Sequence, residues 1–130
     1  MLRKHWIVDG GPHCVLCDLA VLEDIDHLFF TCPFAQDCWQ KVSVHWNLAL
    51  QIKFRFLEAA RAFLGPCFFE ISASVAWNIW KTHNDWIFNG VVPTSASWKA
   101  RAKQDILLHQ FRLKSSLAPL LVEWVSLNLS

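Results

Sequence analysis

Residues 14–17 read Cys-Val-Leu-Cys, and residues 26–35 read Asp-His-Leu-Phe-Phe-Thr-Cys-Pro-Phe-Ala. Nine residues separate Cys17 from His27 and four separate His27 from Cys32, so the pattern is C-x2-C-x9-H-x4-C. Two residues between thiolates let one tight turn present both sulfur atoms to one ion, and a segment that folds back can complete the tetrahedron. The pattern therefore predicts a Zn²⁺ site with the ligands Cys14, Cys17, His27 and Cys32.

Three thiolates and one imidazole close the coordination sphere, which leaves no position for an activated water. We therefore expect a single structural zinc. Pro33 suits the first turn of a helix, whose dipole would favour a thiolate at Cys32. His13 and Cys38 lie near the motif and are interpreted as bystanders. The alternative is that these residues are ordinary buried cysteines and a core histidine. That interpretation would suit any one of them alone, but it does not account for the ligand-like spacing of all four.

The composition favours a folded protein. Hydrophobic residues make up 54% of the chain and charged residues 18%, which excludes a disordered tail. The most apolar stretches are too interrupted for a membrane span, and the first residues lack the apolar core of a signal peptide. We expect an intracellular protein, nuclear or cytoplasmic and not secreted. In such a compartment an odd count of five cysteines favours metal binding over disulfides.

A longer set of residues resembles a known family. Residues 14–17, residues 26–35 and Trp39 are similar to the zinc-binding domain found after the reverse transcriptase of plant LINE-type (non-LTR) retrotransposons. Residues 77–88, Trp-Asn-Ile-Trp-Lys-Thr-His-Asn-Asp-Trp-Ile-Phe, resemble another segment of the same elements. The resemblance implies the same four zinc ligands and a C-terminal fragment without the polymerase. The chain departs from the family pattern at two places, neither of which is a ligand. The spacing before His27 is slightly long, and position 83 is a histidine where arginine is commoner.

The sequence carries no signature of an enzyme. A reverse transcriptase needs metal-binding aspartates, commonly in a Tyr-x-Asp-Asp turn, and this chain has no tyrosine and no two adjacent aspartates. A ribonuclease H would need clustered carboxylates, whereas the eleven acidic residues here are scattered. We therefore expect a non-catalytic protein.

The hydrophobic periodicity predicts a mainly α fold. We expect a small CCHC zinc module in residues 1–47, with a short β-hairpin between residues 6–8 and 28–31, followed by a helical extension in residues 48–130 with about four to five helices. Helices are predicted over 33–46, 54–64, 69–88, 97–114 and from Pro119 onward, with Ser97 as a cap and Gly90 as a C-cap. Two buried faces are predicted: Ile71, Val75, Ile79, Trp80 and Ile87 on the third helix, and Leu120, Leu121, Trp124 and Leu127 on the last.

Charge is distributed unevenly along the chain. The motif region from Cys14 to Asp37 contains five acidic residues and no lysine or arginine. We therefore expect this region to repel phosphate. The basic residues gather instead on the predicted fourth helix, which is the best nucleic-acid surface available: Lys99, Arg101, Lys103, Arg112 and Lys114. The alternative is a solvated helix face that keeps an apolar protein soluble.

These observations favour a non-catalytic zinc-binding domain that supports RNA or DNA binding or the assembly of the polymerase. The expected partners are RNA or DNA, the parent reverse transcriptase or another protein that contacts the apolar helices, and no membrane. Two alternatives stay open: a protein-interaction module with a structural zinc, and a decayed fragment without present activity.

Overall fold

The structure is a computed structural model that describes Leu16 and residues 25–130. Within those residues it contains helices and no strand, which confirms the predicted mainly α class. Two short irregular turns accompany five α-helices. In chain order the elements are a π-helical turn at His27–Thr31, α1 at Pro33–Lys41, α2 at Ile52–Ala62, α3 at Phe68–Asn89, α4 at Ser95–Leu108, a 3-10 turn at His109–Phe111 and α5 at Ala118–Asn128.

The predicted strand at residues 28–31 is wrong, because these residues form the π-helical turn. Leu28 and Phe30 are both buried, a pattern that an alternating strand and a helical turn share over so few residues. The other half of the predicted hairpin, residues 6–8, lies outside the described residues. The turn ends at Cys32, whose extended backbone (φ −61°, ψ 132°) is what a following proline imposes.

The first two helices differ from the prediction at their ends. Helix α1 begins at Pro33 as expected but stops at Lys41 rather than at residue 46. The chain leaves the helix through Ser43, which has a left-handed backbone (φ 57°), and the carbonyl of Trp39 accepts from the amides of Val42 and Val44 at 3.2 and 3.1 Å. Trp46 still packs inward, although it lies beyond the helix. Helix α2 begins and ends two residues earlier than residues 54–64.

The long central helix matches its prediction closely. Helix α3 spans Phe68–Asn89, and Gly90 ends it with a left-handed backbone (φ 67°), which confirms the predicted C-cap. The cap of α4 is Thr94 rather than Ser97. The Thr94 side chain accepts from the Ser97 amide at 3.1 Å, so Ser97 lies in the first turn instead of before it.

The buried faces are partly as predicted. Ile71, Val75, Ile79 and Ile87 are buried on α3, whereas Trp80 is exposed. On α5 the predicted Leu121 and Trp124 are buried, whereas Leu120 and Leu127 are 52% and 75% exposed. The side chains that α5 and its end bury are spaced for one helical face: Leu121, Trp124, Val125 and Leu129.

One hydrophobic cluster runs through the described residues, from Leu16 to Leu129. Trp46 lies at an aromatic junction within it. Its ring meets the rings of Phe30, Trp39 and Phe56 edge-on, with centroids 5.2, 4.9 and 4.8 Å away, an arrangement that adds to the stability from burial alone. None of the helices in the described part of the chain is both long and apolar enough to cross a lipid bilayer.

Candidate metal centre and nucleic-acid surface

The structure brings two of the four predicted zinc ligands into one turn. The amide of Cys32 donates to the carbonyl of His27 at 2.7 Å, which closes the π-helical turn. Both side chains are buried, with exposures of 7% and 0%. The other two predicted ligands, Cys14 and Cys17, lie outside the described residues, as does the bystander His13.

The orientation of the His27 ring is fixed by a neighbouring side chain. Its Nδ1 atom lies 2.8 Å from Oγ1 of Thr31. Histidines that bind metals commonly hold their second ring nitrogen in such a hydrogen bond, which selects the tautomer and aims the ligating atom. With Nδ1 engaged by Thr31, Nε2 is the nitrogen suited to a metal.

Cys32 is the N-cap residue of α1, as the Cys-Pro sequence predicts. Its carbonyl accepts from the Gln36 amide at 2.9 Å, the first bond of the helix. A thiolate at this position is stabilised by the positive end of the helix dipole. The donor types and the helix end therefore suit Zn²⁺ at the two described positions.

Leu16 and Cys38 are two described residues that lie within or near the motif in the sequence. Leu16 is buried in the same hydrophobic cluster as Cys32 and Leu28, and the covalent chain places it next to Cys17. No group of three His, Cys, Asp or Glu side chains that could hold a metal occurs within residues 25–130 and Leu16, so further ligands for a metal at His27 and Cys32 would have to come from outside those residues. Cys38 is fully buried, and burial raises the pKa of its thiol, as expected of a core residue.

Arg55 is a residue of this region that the sequence analysis missed. It projects from α2, is only 5% exposed, and its Nη1 atom donates to Oδ1 of Asp26 at 2.7 Å. Its other donors reach the carbonyls of Leu50 and Leu48 at 2.8 and 3.2 Å, and its guanidinium lies 4.8 Å from the centroid of the Phe30 ring. Arg55 thus connects the residue before His27 to α2 and to the loop that precedes it.

The ion pair also acts on Asp26. The hydrogen bond from Arg55 lowers the pKa of the Asp26 carboxyl below its usual value, against a smaller opposing effect of burial. No local sequence signal could have identified this pair, because the partners lie 29 positions apart in the chain. An arginine in an amphipathic helix is ordinarily predicted to face solvent.

The five predicted basic residues do not form one surface. Arg101 is part of an internal network, since it donates to Oδ2 of Asp85 at 2.7 Å and to Oγ1 of Thr82 at 2.9 Å. Helix α4 ends before Arg112 and Lys114, so neither continues the α4 face on which they were predicted. Both side chains are exposed.

Lys99 and Lys103 lie one turn apart on α4 and line a cleft of about 420 Å³ together with Lys41 at the end of α1. Lys41 also pairs with Asp37 at 3.5 Å. The remaining lining residues, all of them in the described part of the chain, carry no acidic side chain: Ser95, Ala96, Ala100, Leu129 and Ser130. Arg112 lines a different cavity, between α3 and the end of α4, with Trp77 and Phe111.

Comparison with known proteins identifies the amino-terminal part of the chain. Residues 1–39 match the family model described as zinc-binding in reverse transcriptase, and this range contains all four predicted ligands. The match supports a zinc-binding domain of the reverse-transcriptase type in that part of the chain. No curated protein and no solved structure matches the chain significantly.

Proposed function

We propose that the chain is a non-catalytic domain that binds single-stranded RNA or DNA and is stabilised by one structural zinc. The zinc ligands are Cys14, Cys17, His27 and Cys32. The surface that contacts phosphate is the cleft between α1 and α4, which we call the lysine cleft. It is formed by Lys41, Lys99 and Lys103.

The zinc assignment is supported by the family match over residues 1–39 and by the turn that joins His27 to Cys32. A bound zinc would tie this turn to the Cys14–Cys17 segment by four bonds and would stabilise the folded state directly. Thr31 orients His27, and Pro33 holds the Cys32 backbone in its extended conformation. These contacts prepare two ligands before the metal arrives, which lowers the cost of ordering them.

The origin that we propose is a non-LTR retrotransposon of the LINE type found in plants. Residues 26–35 and the segment Trp77–Phe88 support it by their resemblance to those elements. The second segment lies beyond the residues that the family model matches, so it supports the origin independently. The lack of tyrosine and of adjacent aspartates supports a role without catalysis.

The lysine cleft is the observation that carries the nucleic-acid proposal. Three lysines on two different helices line one cleft, and one of them, Lys41, belongs to α1, the helix that begins directly after Cys32. The motif region is acidic, so phosphate would be repelled from the metal and drawn to this cleft instead. In this arrangement zinc acts on binding by holding α1 in place and does not contact nucleic acid itself.

Salt dependence tests this proposal. Each phosphate contact to a single strand contributes about 0.7 to the slope of log K against log salt concentration. Lys99→Gln and Lys103→Gln together should therefore lower the slope for a short single-stranded RNA by about 1.4. Lys53→Gln, a change of the same kind on α2, is the matched control and should leave the slope unaltered. A zinc-loaded wild-type chain that binds no single strand at low salt contradicts the proposal.

A second candidate function is protein binding, which would include assembly with the polymerase. It is favoured by large apolar side chains that remain exposed on and after α2, above all Phe54, Leu57 and Leu64. Isolated exposed apolar residues are ordinary, but several on neighbouring turns are typical of an interaction surface. Self-association that does not respond to salt, in a chain that binds no RNA, would favour this candidate.

A further inference from the structure

A cavity of about 660 Å³ lies between α3 and the end of α4. This volume falls within the range of roughly 300–1,000 Å³ that is usual for small-molecule sites. The cavity contains no part of the predicted metal centre or of the lysine cleft. It combines aromatic, basic, acidic and hydroxyl groups, and we call it the aromatic cavity: Ser74, Trp77, Asp105, His109, Phe111 and Arg112.

Its aromatic side chains are exposed rather than buried in the core. Trp77 is 52% exposed and Phe111 is 79% exposed. The ring of Trp80 stacks on that of Trp77, with centroids 5.3 Å apart and planes inclined by 26°. This stacking holds the Trp77 ring in one orientation. Solvent-exposed rings of fixed orientation are the groups on which the bases of single strands stack.

The polar groups of the cavity complement the remaining parts of a nucleotide. Arg112 supplies an exposed guanidinium, which matches the geometry of a phosphate. Oγ of Ser74 lies 3.2 Å from Nε2 of His109, so a hydrogen-bonding pair is already formed in the wall. Oδ2 of Asp105 accepts from Nδ2 of Asn78 at 2.8 Å, which fixes the carboxylate against α3.

We propose that the aromatic cavity binds one nucleotide of a single-stranded nucleic acid, with its base against Trp77 and Phe111 and its phosphate at Arg112. This inference rests on the proposed function, because it adds a site for a base to a protein whose lysine cleft contacts phosphates. The two sites then contribute to binding in different ways. The lysine cleft supplies salt-dependent attraction, and the aromatic cavity supplies stacking that salt hardly weakens.

Asp105 further predicts which bases the cavity prefers. A carboxylate repels phosphate but accepts a hydrogen bond from the exocyclic amine of a base, as acidic side chains do from cytosine. Uracil has no such amine. The cavity therefore favours cytosine over uracil, and Asp105→Asn should remove that preference.

The test compares stacking variants with a matched control in the zinc-loaded full chain. Trp77→Leu keeps an apolar side chain but removes the ring, and Phe111→Ala removes a side chain that contributes little to the core. Each should weaken binding of a short oligocytidine by about 5- to 100-fold, the effect of losing one stacked base, and leave the slope with salt unchanged. Phe54→Ala removes an exposed ring on α2 and should bind as the wild type does.

The outcomes separate this inference from the proposed function. One outcome is that Lys99→Gln and Lys103→Gln lower the salt slope, whereas Trp77→Leu and Phe111→Ala bind as tightly as the control Phe54→Ala. That result would overturn the aromatic cavity as a binding site and would leave the lysine cleft supported. A wild-type chain that binds no single strand overturns both. Equal affinity for oligocytidine and oligouridine overturns the role of Asp105. The same series with oligodeoxycytidine shows whether the protein prefers RNA or DNA. Weaker binding of either oligonucleotide by Trp77→Leu supports the aromatic cavity as a binding site.

Discussion

At the scale of single residues, Arg55 shows how one buried charge can join two parts of the chain. Its guanidinium makes an ion pair with Asp26, donates to two carbonyls of the loop before α2 and lies over the Phe30 ring. A buried arginine is tolerated only when its donors are satisfied in this way. Because Asp26 immediately precedes the predicted ligand His27, the same contacts position the π-helical turn that we propose binds zinc.

Removal of Arg55 should therefore destabilise the fold. Arg55→Met preserves much of the side-chain length but leaves Asp26 and the carbonyls of Leu48 and Leu50 without their donor. We expect the free energy of unfolding to fall by about 2 to 4 kcal/mol, measured by urea denaturation of the zinc-loaded chain. Arg61→Met, at an exposed position on the same helix, should change it by less than about 0.5 kcal/mol. Equal losses in the two variants would show that Arg55 has no special role.

Local spacing predicts His27 and Cys32 as ligands, and the structure places both in one buried turn. The contact between Arg55 and Asp26 could not be predicted in this way. Arg55 and Asp26 are far apart in sequence, so their pairing depends on how α2 packs. The same holds for Arg101. The sequence predicts it as part of a basic surface, but in the structure it donates to Asp85.

At the scale of secondary-structure elements, the junction between the π-helical turn and α1 depends on Pro33. In a continuous helix the carbonyl of Phe29 would accept from the amide four residues later, but that residue is Pro33, which has no N–H. The indole Nε1 of Trp39 donates to this carbonyl instead, at 2.6 Å. Trp39 therefore satisfies a carbonyl that the proline leaves without a backbone partner.

Loss of that donor should be measurable. Trp39→Phe retains an aromatic ring in the core and removes the indole N–H, which leaves the Phe29 carbonyl unsatisfied. The free energy of unfolding should decrease by about 1 to 3 kcal/mol. Trp80→Phe is the control, since Trp80 lies exposed on α3 and its replacement should have a much smaller effect. A Trp39→Phe variant as stable as Trp80→Phe would refute this account of the junction.

The element that sequence periodicity predicted best is the one with the longest regular pattern. Helix α3 is long, strongly patterned and closed by Gly90, and its predicted extent is nearly correct. Residues 28–31 were too few for periodicity to separate a strand from a helical turn. The length of α4 depended on tertiary packing, because nothing in residues 109–114 forbids an α-helix, yet residues 109–111 tighten into a 3-10 turn.

At the scale of the whole molecule, the π-helical turn and the helical extension share one hydrophobic cluster in the described residues. The division into residues 1–47 and 48–130 stays a prediction. Charge is also separated along the sequence, because the stretch from Cys14 to Asp37 contains acidic residues but no lysine or arginine, whereas lysines line the α1–α4 cleft. The fold class followed from composition and periodicity, whereas the aromatic cavity did not, because tryptophans at helical spacing usually belong to a core.

The central claim is that zinc holds the amino-terminal part of this molecule together, and its most direct test is the metal content of the protein. Wild-type chain purified without chelator should contain one zinc per chain, and Cys17→Ser or His27→Ala should lose both the metal and the folded structure of residues 1–46. Cys38→Ser, which changes a cysteine outside the ligand set, should keep its zinc. A folded wild-type protein with far less than one zinc per chain would contradict the account.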